Sequence, residues 1–72
     1  MYCEKLADKL ASLYPKGTRV RCLQMIDDPH PVPPGVEGTV QYTNGFGQIA
    51  VRWDNGSGLF LLYGIDDFEV IK

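Results

Sequence analysis

Few side chains in this 72-residue chain are of a type that does chemistry: two cysteines, one histidine and a scatter of carboxylates. Cys22 and His30 supply a nucleophile and a base by type, but no third group is singled out to orient the imidazole. A lone histidine in a proline-rich stretch is ordinarily a solvated side chain. Cys3, Cys22 and His30 do not make up the four closely spaced ligands of a zinc site. Asp54-Asn55-Gly56-Ser57-Gly58 lacks the alternate-residue ligands and distal Glu of a calcium loop, and reads as a hairpin turn. Gly45-x-Gly47 and Gly56-x-Gly58 lead into strands and not into a helix N-terminus, so neither is a phosphate cradle. No catalytic residue, no metal and no cofactor is expected, and the chain is not expected to be an enzyme.

Binding is the remaining chemistry, and two residue sets are candidates for it. Tyr42, Phe46, Trp53 and Tyr63 are aromatic, with Asp54, Asp66 and Asp67 near them in sequence. Such a groove, rimmed by carboxylates, favours a peptide with basic residues. Trp53 is in phase with Ile49 and Val51, so a core role competes with a binding role there. The same competition holds for Tyr42 and Tyr63, while Phe46, beside a turn, is expected to be exposed. The second set is Lys16, Arg19, Arg21 and Arg52, with Arg19 and Arg21 on one strand face as a phosphate-binding stripe requires. A net charge of −2 and a pI near 5.1 weigh against nucleic acid. The charge is also uneven: residues 1–36 carry a small basic excess and residues 37–72 an acidic one. A protein or peptide partner is therefore expected ahead of nucleic acid. Pro31-Val32-Pro33-Pro34 has the form of a P-x-x-P ligand, but it is tied at both ends and reads as a rigid loop.

The elements that must position these residues follow from periodicity. Seventy-two residues make one domain, here a helix over 1–14 followed by a small β-barrel over 17–72. Tyr2, Leu6, Leu10 and Leu13 form an apolar stripe at helical spacing, with Glu4, Lys5, Asp8 and Ser12 opposite. Pro15 ends the helix. Strands are expected at 18–25, 38–42, 48–53, 59–63 and 68–71. Residues 27–35 hold four prolines and form a stiff connection. Asn44-Gly45 marks a tight turn and Asn55-Gly56 a two-residue type I′ hairpin. In residues 59–63 both faces are apolar, with Leu59, Leu61 and Tyr63 expected inward and Phe60 and Leu62 outward. The short helix needs a partner surface, and packing on Phe60 and Leu62 would supply one. That arrangement gives a monomer; the alternative is a homodimer through the same stripe.

Pro15-Lys16-Gly17-Thr18-Arg19-Val20-Arg21, Pro33-Pro34-Gly35, Gly38-Thr39-Val40, Gly47-Gln48-Ile49 and Trp53-Asp54-Asn55-Gly56-Ser57 together resemble a bacterial family known only as a domain of unknown function. The resemblance covers residues 15–71 and departs at residues 42–44 and at Ala50. It implies a mainly β fold, a five-stranded Src-homology-3-like barrel, of firmicute or mobile-element origin, and it implies no activity. On that reading the alternative to a peptide-binding module is a weak nucleic-acid accessory of a phage or mobile element. With 44% hydrophobic residues and no stretch of about 18 apolar ones, the chain is expected to be cytoplasmic and not in a membrane.

Overall fold

The computed structural model describes residues 1–25 and 29–71; the part of the proline connection at residues 27 and 28 lies outside them. The fold is mainly β, with one helix, α1 (Glu4–Leu13), ahead of five antiparallel strands. These are β1 (Arg19–Gln24), β2 (Glu37–Thr43), β3 (Gln48–Trp53), β4 (Leu61–Leu62) and β5 (Asp67–Val70). Their order in the sheet is β4-β3-β2-β1-β5. The two edge strands are consecutive in the chain, joined only by residues 63–66. Such a link reaches about 18 Å at most, so the sheet must curl towards a barrel.

Alternation builds the core. Val20 and Cys22 of β1, Val40 of β2, Ile49, Val51 and Trp53 of β3 and Leu61 of β4 are all buried. Leu10 enters the same cluster from α1, before β1, and Met25 and Val32 enter it from the segment after β1. The proline loop is pinned to β1 by backbone bonds. The Cys22 amide donates to Val36 O and the Gly35 amide donates to Cys22 O. The Cys22 thiol donates to Val32 O (3.4 Å), and the Val32 amide donates to Met25 Sδ. Pro31-Val32-Pro33-Pro34 thus turns its valine inward, consistent with a rigid loop.

Both hairpins share one design, which at Asn55-Gly56 differs from the expected two-residue turn. The Asn44 amide donates to Gln48 O and the Gly47 amide to Asn44 O, with Gly47 at φ 84°. In the second hairpin the Trp53 amide donates to Ser57 O and the Gly56 amide to Trp53 O, with Gly56 at φ 90°. Each is a three-residue loop closed by a glycine in the left-handed region. β4 is shorter than the expected 59–63 because the Trp53 indole N–H takes the Leu59 carbonyl (2.9 Å) and Ser57 Oγ accepts the Leu59 amide.

The helix sits differently from expectation. Leu10 is fully buried, and Leu6 and Tyr14 are half-buried, while Tyr2 and Leu13 are 50% and 48% exposed. The seat is narrow: Leu10 lies at its centre and Leu13 falls to one side. At one end the Cys3 amide donates to Gly45 O (2.9 Å). A Cβ on Gly45 would collide with Cys3 O and with the Tyr2 ring, so the docked terminus requires glycine there. At the other end the Tyr14 ring meets Phe68 at 5.3 Å and Tyr63 at 6.3 Å. The helix therefore plugs the interior. It is not laid over Phe60, whose ring turns to Tyr42 instead.

Candidate functional site

The four aromatic candidates have different fates. Trp53 is 2% exposed and belongs to the core. It stands opposite Gly38, where a Cβ would lie 2.9 Å from Trp53 Cε3 and 2.6 Å from Val51 Cγ1. The indole fills the space that the missing side chain leaves, which removes Trp53 from the binding surface. Tyr63 is half-buried and forms part of the helix seat, with the Lys9 ammonium 5.3 Å from its ring centre. Phe46 is exposed as expected and packs edge-on against Tyr2 at 5.0 Å.

Tyr42 is presented by a device that alternation alone does not contain. Gly38 and Val40 are buried, so a regular strand would turn Tyr42 inward as well. The ladder slips between Val40 and Tyr42, with Val40 opposite Val51 but Tyr42 opposite Ala50. This bulge at Gln41, whose amide side chain donates to Thr39 O, re-aims Tyr42 to the outer face. Tyr42 is 55% exposed there. Continuing the β3–β4 register one step beyond Ile49 opposite Leu61 brings Phe60 level with Ala50. The Tyr42 and Phe60 rings meet edge-on, 6.0 Å apart, across the small Ala50, which is itself buried. Phe60 escaped the list of candidates, although the two-sided apolar pattern of residues 59–63 carried its signal. On the other side of Tyr42 opens a groove of about 330 Å³ between the end of α1 and β2. Ala11, Tyr14, Pro15, Lys16, Gln41, Tyr42 and Thr43 line it.

The rest of the outer face is charged and largely paired within itself. Arg19 grips Asp54 with two hydrogen bonds (2.7 and 3.0 Å) and reaches Glu37 at 3.3 Å. Arg21 bridges Glu69 at 2.9 Å and Glu37 at 3.4 Å. The chain Glu69–Arg21–Glu37–Arg19–Asp54 thus crosses from β5 to the β3–β4 hairpin. The hydrogen bonds from Arg19 hold the Asp54 carboxyl below its usual range. Arg19 and Arg21 do share a face, but both guanidiniums already face carboxylates, which is poor preparation for phosphate. Asp54 is likewise engaged, and Asp66 accepts the Leu62 amide at 2.9 Å. Of the expected carboxylate rim, Asp54 and Asp66 are therefore engaged within the fold, while Asp67 stands exposed at the start of β5, on the far side of β1 from β2. Lys16 and Arg52 make no ion pair among the described residues.

Cys22 and His30 lie in different surroundings. Cys22 is completely buried, and burial, followed by the charge of Asp66, pushes its thiol pKa up. His30 lies on the exposed stretch of the loop. Among the described residues no three His, Cys, Asp or Glu side chains are grouped to hold a metal ion, and no helix is long and apolar enough to cross a membrane.

No curated protein and no solved structure matches the chain. A family model for a domain of unknown function, DUF4314, matches residues 3–71. That span includes α1 as well as the five strands, so the helix that plugs the core lies within the family's unit and is not an appendage to it. The chain belongs to the DUF4314 family.

Proposed function

We propose that this chain is a non-catalytic interaction module of a bacterial, cytoplasmic protein, built as a Src-homology-3-like barrel, that binds a protein partner through a short peptide segment. The observation that carries the reading is the exposed Tyr42–Phe60 pair over Ala50, continuous with the groove beside Tyr42. A bulge breaks strand alternation to expose Tyr42, an apolar ring that period-two folding would have buried. Exposed aromatics on a rigid sheet are efficient anchors, because a ring brings large contact area at small entropic cost. Nucleic acid is the second reading, resting on Lys16 and Arg52 with Arg19 and Arg21. The carboxylates facing Arg19 and Arg21 weaken it.

The test is selection of a random twelve-residue peptide library on the full chain. Selected peptides are expected to bind in the range of roughly 1–100 μM, about −8.2 to −5.5 kcal/mol. Tyr42→Ala and Phe60→Ala should each weaken them about tenfold, the scale of a modest anchor residue. Phe46→Ala should leave them unchanged. Peptides indifferent to Tyr42 and Phe60, or no peptides at all, would sink the reading. Fluorescence polarisation with single- and double-stranded DNA should give no complex tighter than about 1 μM near physiological salt. A tight, sequence-selective complex lost in Arg19→Ala and Arg21→Ala would reverse the ranking of partners.

A further inference from the structure

Charge settles which kind of peptide suits this face, and the answer differs from the one the linear sequence suggests. The outer surface of the sheet divides in two. On β1, the start of β2, the second hairpin and β5, three carboxylates (Glu37, Asp54 and Glu69) meet two guanidiniums. On the other part stand Tyr42, Ala50 and Phe60. The cations next to this aromatic part are left over from the pairing. Lys16 lines the groove that Tyr42 borders. Arg52 is exposed and two residues from Ala50, on the same face of β3 by strand alternation. Neither has an ion-pair partner among the described residues. On the helix side Asp8 lies one turn before Ala11 and does not line the groove. A chain with net charge −2 thus presents its aromatic face with positive charge on both flanks.

We infer that the segment bound here is acidic: an apolar side chain seated between Tyr14 and Tyr42 in the groove, with carboxylates directed at Lys16 and Arg52. This inference rests on the proposed function and gives the partner's chemistry. The occupant is a peptide because the groove is open and about 330 Å³, room for one or two side chains with a chain passing over them. Complementary charge would set register and speed encounter, while the rings supply contact area.

The probes are two synthetic tetrapeptides, acetyl-Glu-Phe-Glu-Pro-amide and its charge reverse acetyl-Lys-Phe-Lys-Pro-amide, titrated into the full chain and followed by amide chemical shifts. The acidic peptide is expected to shift the amides of Tyr14, Lys16, Gln41, Tyr42 and Thr43. It should bind about fivefold tighter than the basic one, the scale of an exposed ion pair. The preference should collapse at roughly 0.5 M salt, where screening is short-ranged. Lys16→Glu, at an exposed turn position, should abolish it. Equal affinities at the same amides, or tighter binding of the basic peptide there, would overturn the acidic inference and leave the proposed function standing. Shifts elsewhere, or none at millimolar peptide, would overturn both.

Discussion

Gly38 shows how much one absent side chain decides in a barrel this small. A β-carbon there would meet Val51 Cγ1 at 2.6 Å, Arg52 O at 2.9 Å and Trp53 Cε3 at 2.9 Å, and the carbonyl cannot rotate aside. Gly38→Ala is therefore expected to destabilise the fold by about 1–3 kcal/mol, the range for overpacking. Gly58, with no atom within 4 Å of its virtual β-carbon, is the matched control, and Gly58→Ala should change stability by less than about 0.5 kcal/mol. Urea unfolding of the three proteins measures both. Equal midpoints would mean that Trp53 can shift without cost. The residue scale also explains the fate of Trp53: its indole N–H bonds Leu59 O, so the ring is held by a polar contact as well as by packing.

At the scale of elements, α1 acts as part of the core through one residue. Leu10 is 0% exposed and Leu13 48% exposed, three positions along the same helix. Leu10→Ala should cost about 2–5 kcal/mol through lost burial and the cavity left behind. For a domain of this size that means a fall in Tm of roughly 8 °C or more. Leu13→Ala should leave Tm within about 4 °C, as surface changes do. Thermal melts followed by circular dichroism distinguish the two. If Leu13 costs as much as Leu10, the helix seats on a wider stripe than the structure describes. The short β4 belongs to this scale too. Its ladder stops where the Trp53 indole captures a backbone carbonyl, and this frees Phe60 from regular pairing and lets it meet Tyr42.

For the molecule as a whole, the cross-strand ion network gives stability a pH dependence on the acid side. Hydrogen bonds from Arg19 depress the Asp54 carboxyl in the folded state. Its contribution is then fully present above the ordinary carboxylate value near pH 4 and is lost as pH falls through the depressed folded value. Arg19 stays charged throughout, so the loss comes from the carboxylate alone. Asp54→Asn is expected to lower stability at pH 7 and to flatten the decline between about pH 4 and pH 2. Unfolding midpoints across that range test it; an unchanged slope would mean that the Arg19–Asp54 pair contributes nothing in solution. High salt should narrow the difference between the two proteins, since the pair is exposed.

The sequence by itself determined the elements. Alternation marked Ile49, Val51 and Trp53 as one face of β3, and a helical stripe marked Leu6 and Leu10, because side-chain direction follows backbone period wherever the backbone is regular. The glycines marked both hairpins, though not their loop length, which the closing backbone bonds Asn44 N–H to Gln48 O and Trp53 N–H to Ser57 O set. What only the tertiary structure decided lies where regularity breaks or where distant segments meet. The bulge at Gln41 turned Tyr42 outward against its own periodicity, and a one-residue slip between strands is invisible to a pattern read along one strand. Val32, in a loop that read as mere connection, became core because Cys22 and Met25 receive it. Of the carboxylates near the aromatics in sequence, Asp54 went to Arg19 and Asp66 to the Leu62 amide, partners 35 and 4 positions away. Proximity along the chain therefore could not give the partners of Asp54 and Asp66, since electrostatic pairing is set by distance in space and not by order in sequence.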